Sequence, residues 1–546
     1  MNGAFNGSNI VQYGTAAERA ALDTSLIKPL SEWYETDTGA YWKWFDTWVA
    51  WSPSYGRPGG ISTGTQIKQS YTALLVGDSI SAIAETIIGA TGVVNNGDGT
   101  GTITRGSTWG ASIGEPIRIS AAPTQALNVM DSTIVAIGNS GRDLTFSLGG
   151  RTHTVTSPSA PSAVFPNRRT SRGYLNWIES KLGRQFRTTW CATSGATASQ
   201  INALLNATLI TFPHDVGFLL AGMNNIYSAL QDFDTAWAEI KTLIDNTRNK
   251  CNFLNILTIP PRNSADSQWT AARQAIHTKL NRAIYDYGLS VGANVIDTWG
   301  CVQNGTTYVN AAATNPDPNA NFVIDNTHPS TPGGAAIGQA IALLNQSRNG
   351  SNGWLPAHLE ALGADSGNII TDGGFVTNTG GVATGWTQSS TTAGMTVTPT
   401  CVARTVAADG DAAGFNQVFT IAIGTAGASA NFRFQKSGIQ ALFAPYVGKK
   451  VQFTMQYSMT GATGVTGIEI AMSGTVPSGF WQVLGMAVDG NTDILTGSLS
   501  GTLITSAAVV PASLSALDIW VRPYINSSQT GNVVFTFWKP EIYEVK

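Results

Sequence analysis

The chain has 546 residues, of which only 12% are charged, and a net charge of −3. That length implies several domains, and so sparse a charge argues against electrostatic binding to nucleic acid or to an anionic membrane. The four cysteines, Cys191, Cys251, Cys301 and Cys401, are scattered without a CxxC pair, and of the five histidines only His328 stands near an acid in a motif, so neither a metal centre nor a disulfide framework is signalled and no cofactor is expected.

Residues 1–60 open with Gly14-Thr15-Ala16-Ala17-Glu18-Arg19 and continue with an aromatic stretch, Ser31 to Trp44, around Thr36-Asp37-Thr38-Gly39. The second part reads as a β-hairpin. A segment this short buries little core alone, so it is expected to pack on a partner or a symmetry mate. Met1 to Phe5 has neither a basic nor an apolar stretch, so no secretory signal is expected. No run approaches ~18 uninterrupted apolar residues, so no transmembrane helix is expected.

From 61 to 350 strands alternate with helices. Strand candidates are 73–76, Phe186–Trp190, Val216–Ala221, Phe253–Ile259 and Asn294–Ile296. Between and after them run helical stripes: Leu175, Ile178 and Leu182; Ile201, Leu204 and Leu205; Trp237, Ile240 and Ile244; Ile276, Leu280, Ile284 and Tyr287; and Ile337, Ile341 and Leu344. Such alternation means an α/β domain, a parallel sheet covered on both faces. One stretch, about 86–160, changes to a period of two and is expected to be an all-β insertion. From 365 to 546 helical periodicity disappears, and strands separated by glycine-rich turns predict a β-sandwich. Sixteen tryptophans is a high number; most are expected in cores, though exposed ones would serve sugar stacking.

Four short motifs carry chemistry. Gly77-Asp78-Ser79-Ile80 follows the apolar run Ala73 to Val76 and places a serine where a strand must turn. Gly195 lies in Thr193-Ser194-Gly195-Ala196-Thr197, and Gly222-Met223-Asn224-Asn225 ends a third strand. Asp325-Asn326-Thr327-His328-Pro329 puts an acid and a histidine three residues apart ahead of a helix. A serine hydroxyl becomes nucleophilic only when a base takes its proton, and an acid orients that base. Asp78 is expected to cap the turn. His277, beside the apolar face of its helix, reads as surface or core packing, and His153, His214 and His358 have no partner in sequence. Pro260-Pro261-Arg262 follows a strand and is expected either to line the site or to form a rigid loop.

In this order the four motifs resemble the SGNH (GDSL-type) serine hydrolases. The resemblance implies a three-layer, flavodoxin-like hydrolase domain over 61–350 and a carboxylic ester hydrolase. It implies Ser79 as nucleophile, His328 as base and Asp325 as its orienting acid, with Ser79, Gly195 and Asn224 forming the oxyanion hole and no metal. Asn225 departs from the pattern, which has Asp there, and the insertion after Ser79 is larger than most members carry. The N-terminal phrase resembles bacteriophage tail-fibre segments, which implies a tail-attachment or oligomerisation role for 1–60 and a homotrimer joined to phage tail proteins. The opening of the last region, Asn368 to Phe375 followed by Gly385-Trp386, resembles carbohydrate-binding jelly-roll modules. Together these imply a polysaccharide O-acetylesterase of a phage tailspike, located on the virion or otherwise extracellular, acting on bacterial O-antigen or capsule. The alternatives are a bacterial esterase or lipase acting on plant polysaccharide or lipid esters, and a non-catalytic receptor-binding fibre.

Overall fold

The computed structural model describes, within residues 1–70, only 11–14, 17, 32–35, 41–44 and 48–50. Beyond them it describes 71–83, 85–120, 127, 132–148, 162–183, 185–208, 210, 213–263, 266–302, 321–349, 368–370, 375–390, 394–404, 414–424, 430–461, 464–477, 479–487, 493–495, 497–526 and 530–545. Contacts divide the chain into one unit of Met1–Lys68 with Asn349–Trp354 and a second of Gln69–Arg348 with Leu355–Lys546. The expected boundary at 60 therefore falls a few residues later, and the hydrolase and sandwich regions form one compact unit. In the first unit the aromatic strands Glu32–Glu35 and Tyr41–Trp44 pair antiparallel, with Trp33 opposite Trp42 and Tyr34 opposite Tyr41. The turn proposed at Thr36 to Gly39 lies outside the described residues. Val11–Gly14 and Trp48–Ala50 complete a four-stranded sheet.

The second unit is built on five strands: β1 (Tyr71–Gly77), β2 (Phe186–Ala192), β3 (His214–Leu220), β4 (Cys251–Leu257) and β5 (Asn294–Ile296). They are parallel in the order β2-β1-β3-β4-β5. This order has its switch point at β1/β3, where open α/β sheets place ligands. Every residue of β3 is buried, as expected for a strand covered on both faces. Helices α1 (Ser79–Ala82), α2 (Tyr174–Leu182), α3 (Ala198–Ala207), α4 (Met223–Tyr227), α5 (Phe233–Arg248), α6 (Ala271–Ser290), α7 (Thr298–Val302) and α8 (Thr331–Asn349) follow in chain order. Ile201 and Leu205 of α3, Ile240 and Ile244 of α5 and Leu280 and Ile284 of α6 share a buried cluster with Leu74, Val76, Leu219 and Ile256 of the sheet. These are the stripes that the 3.6-residue period marks.

The insertion is larger than its predicted 86–160. It begins with strand Glu85–Gly89 and closes with Ser162–Thr170, which pair antiparallel. Between them lie Gly92–Asn95, Thr100–Thr104, Pro116–Ser120, Ser132–Gly138 and Asp143–Ser147. Its core holds Ile103, Ile117, Ile119, Leu144, Phe146 and Phe165.

The C-terminal region is a sandwich of a five-stranded and a six-stranded antiparallel sheet. Trp386, the tryptophan of the module-like opening, is 4% exposed and stacks on Phe434 at 4.6 Å. It is a core residue, and no tryptophan between Trp109 and Trp538 whose burial is described is exposed. The sandwich is bound into the hydrolase. Met486–Ala487 pairs with Arg169 and Thr170 at the end of the insertion. Arg172 pairs with Asp493 at 2.6 Å, and Gly501 lies so close to α2 that a Cβ there would meet the Ser180 backbone oxygen at 2.6 Å.

Candidate active site

β1 ends at Gly77, where a Cβ would sit 2.4 Å from the Leu220 carbonyl oxygen. Only glycine permits this approach of β1 to β3 at the sheet edge. Asp78 follows as the N-cap of α1, its Oδ1 accepting the Ile80 N–H at 3.1 Å. Ser79 is therefore the first residue of a helix at the C-terminal edge of the sheet, with its N–H free of the helical ladder. Asp78 is fully buried and its Oδ2 has no hydrogen-bond partner among the described residues. Burial pushes its carboxyl up to about 6.

The distant acid–histidine loop arrives at this serine. His328 Nε2 lies 2.8 Å from Ser79 Oγ, across 249 residues of sequence. Its Nδ1 lies 2.7 Å from Asp325 Oδ2. Asp325 also accepts the backbone N–H groups of Thr327 (2.7 Å) and His328 (2.8 Å) through Oδ1, so one carboxylate shapes the loop and orients the ring. Burial opposes the charge on Asp325, but the bonds from the His328 ring and from the two amides outweigh it and hold the carboxyl well below its ordinary range. The bond to Asp325 in turn raises His328 above the usual imidazole value, against partial burial. The pair is half-open to solvent, with side-chain exposures of 32% and 50%.

The two other predicted positions converge on the same edge. Gly195 follows β2 with φ of +75°, a left-handed conformation that suits glycine, and it faces open space. Its N–H has no hydrogen-bond partner among the described residues. Asn224, in α4 after β3, donates one amide hydrogen to the Ala196 carbonyl at 3.1 Å. That bond links the Gly195 loop to α4 and leaves the second amide hydrogen available. Asn225 is fully buried. Its Oδ1 accepts the Ala198 N–H (2.9 Å), and its Nδ2 donates to Gln231 Oε1 (2.6 Å) and Glu239 Oε2 (2.8 Å). The departure from Asp is thus matched by a local acid, Glu239, that an amide can serve and a carboxylate cannot.

Arg262 lines the back of the histidine loop. It donates to Thr327 Oγ1 at 2.8 Å, forks onto Asp266, and lies over the Tyr227 ring at 3.6 Å. Asn263 N–H donates to the Asn326 carbonyl at 2.9 Å. Of the two packing readings for His277 the structure gives the core: it is fully buried, stacked on Trp299 at 4.8 Å, and lowered by burial to about 4. His214 Nε2 meets Thr189 Oγ1 at 2.7 Å, remote from the motif residues in sequence, while His153 and His358 lie outside the described residues. No cluster of three metal-ligating side chains occurs among the described residues.

This geometry holds a nucleophile, a base and an acid in hydrogen-bonded series, with donors placed on three separate strand ends. Residues 152–336 match the model of the GDSL-like Lipase/Acylhydrolase family. Over that span the chain is similar to GDSL-like acylhydrolases. The matched span contains Gly195, Asn224, Asp325 and His328 but begins after Ser79, within the insertion. No curated protein matches the chain. Among solved structures it is similar to an acetylxylan esterase from Geobacillus stearothermophilus (14% identity, 50% of this chain and 93% of that one, TM-score 0.28). It is similar as well to a GDSL-like lipase from Bacteroides thetaiotaomicron (16%, 30% and 76%, TM-score 0.25). A structure of carbohydrate-binding modules from the β-sandwich superfamily matches at 10% identity and TM-score 0.22, over 30% of this chain and 59% of that one.

Proposed function

We propose that the chain is a serine esterase that removes O-acetyl groups from a polysaccharide, and that it works on a phage tail against the O-antigen or capsule of a bacterial host. The Ser79–His328–Asp325 series carries the esterase part. Neutral His328 donates through Nδ1 to Asp325 and accepts the Ser79 proton at Nε2 as Oγ attacks the acetyl carbonyl. The negative charge that develops on the carbonyl oxygen is met by the N–H groups of Ser79 and Gly195 and the free amide hydrogen of Asn224. Collapse of the tetrahedral intermediate expels the sugar hydroxyl, which takes the proton from His328. Water, deprotonated by the same nitrogen, then attacks the acyl-serine and releases acetate.

The substrate half rests on different observations. The half-exposed His328 and Asp325 suit a small acyl group presented on a bulky polymer. The tail-like N-terminal phrase, whose paired aromatic strands are Glu32–Glu35 and Tyr41–Trp44, supports a place on the virion. Acetate release from O-acetylated O-antigen or capsule, abolished in Ser79→Ala, is the expected result. Hydrolysis of a small acetyl ester with no release from any such glycan removes the substrate claim, and inertness toward both removes the esterase reading.

A further inference from the structure

The five-stranded sheet of the sandwich has an outer face whose chemistry the esterase does not use. Phe432, Phe434, Val521, Ile470, Met472, Trp481 and Val483 of this sheet belong to the sandwich core. Alternation then turns Arg433, Trp520, Arg522, Tyr524 and Glu469 to the opposite face. The register Phe434↔Val521 and Glu469↔Arg522 brings Arg433, Arg522 and Glu469 side by side on three adjacent strands.

The floor of this face is fixed. Glu469 is 5% exposed and accepts hydrogen bonds from Trp520 Nε1 (2.9 Å), Arg522 (2.8 Å) and the Tyr524 hydroxyl (3.1 Å). Arg522 lies over the Tyr524 ring at 4.6 Å, and its buried Nε has no partner among the described residues. Arg433 lies over the Trp520 ring at 4.6 Å and, among the described residues, has no ion-pair or hydrogen-bond partner. Desolvation and the neighbouring Arg522 make its charge costly. Asp518, a further acid whose charge favours Arg433, also accepts the Gly438 N–H at 3.3 Å. Glu469 is thus hydrogen-bonded to one guanidinium, while the second stands beside it with its hydrogen-bonding edge unused among the described residues, and each lies over an aromatic ring. Planar guanidinium pairs of this kind match carboxylate and sulfate oxygens.

We propose that the outer face of the five-stranded sheet is a binding site for an anionic glycan, with one acidic group of the sugar held between Arg433 and Arg522. The choice of a glycan rests on the polysaccharide-esterase reading; the requirement for negative charge rests on this face alone.

The test uses the full chain as Ser79→Ala, so that turnover does not alter the probe, and measures binding to polygalacturonate, dextran sulfate and neutral dextran at several salt concentrations. Binding to either anionic polymer that weakens with salt, and that falls at least tenfold in Arg433→Gln, is expected; the two polymers separate carboxylate from sulfate recognition. Arg522→Lys, which keeps the charge against Glu469 but loses the planar fork, is expected to weaken binding while the protein stays folded. Arg433→Gln in the otherwise native chain is expected to hydrolyse a small acetyl ester at the native rate. Equal binding of dextran, no binding of either polyanion, or native affinity in Arg433→Gln overturns the site. A protein that binds polyanions but cleaves no ester leaves this site standing and removes the esterase reading instead.

Discussion

Asp493, on the sandwich, accepts the backbone N–H of Thr331, the first residue of α8 and the third after His328, at 3.3 Å. The same oxygen pairs with Arg172 at 2.6 Å. A side chain from the C-terminal region therefore caps the helix on which the histidine loop is mounted.

Replacement of Asp493 by Ala is expected to lower stability by about 1–3 kcal/mol, through the lost cap and the lost ion pair to Arg172. It is also expected to lower kcat on a small acetyl ester by ~10–100-fold, because a shift of about 1 Å at the base costs that much. Thermal denaturation and steady-state kinetics on the purified variant check both; native kcat would show that the cap does not reach the site.

The pH profile follows from His328. The base acts when neutral, and Asp325 raises its pKa, so activity rises with pH through a limb above the ordinary imidazole value of ~6.5. In Asp325→Asn that limb moves to lower pH and kcat falls by roughly four orders of magnitude, as in other serine triads. A limb that stays in place would remove Asp325 from its assigned role.

Asn224→Ala is expected to cost about 2.7–4 kcal/mol of transition-state stabilisation, read as a fall in kcat with little change in KM. Loss of the bond to Ala196 also frees the Gly195 loop.

Asn225→Asp would set a carboxylate against Glu239, now bonded to the Asn225 amide at 2.8 Å. A loss of roughly 2–3 kcal/mol in denaturant unfolding is expected at pH 8. The double change with Glu239→Gln should restore most of it.

Asp78 gives a stability signature. Its folded pKa, about 6, lies above the ordinary value of 3.8. The folded state therefore binds more protons between these values, and stability present below pH ~4 is lost as pH rises through about 6. The shift corresponds to ~3 kcal/mol as an order of magnitude. Asp78→Asn, which keeps the Oδ1 acceptor for Ile80, is expected to flatten that slope in a melting series from pH 4 to 8.

Much of this was legible in the sequence because it is local. Apolar runs ending in glycine mark β1 and β3, 3.6-residue stripes mark α2, α3, α5, α6 and α8, and Asp325 and His328 are three residues apart. What stayed hidden depends on distant partners. Strand Ser162–Thr170, which no sequence signal marked, contains Pro166, Asn167 and two arginines; among the partners of these buried charges are Glu115 for Arg168 and Glu179 for Arg169, each at 2.7 Å. Arg262 reaches Thr327 across 65 residues. Composition does not say on which side of a strand Trp386 falls; Phe375 and Phe434 take it into the core.

The 249 residues that separate Ser79 from His328 also order events in time. A ribosome adding ~5–20 residues per second needs about 12–50 s to pass from one to the other. Throughout that interval the nascent chain exposes a serine with no base to activate it. Until Asp493 has been made as well, the Thr331 N–H of the helix behind the histidine lacks its acceptor. The Ser79–His328 pair therefore cannot form until the chain has been made at least as far as the histidine loop.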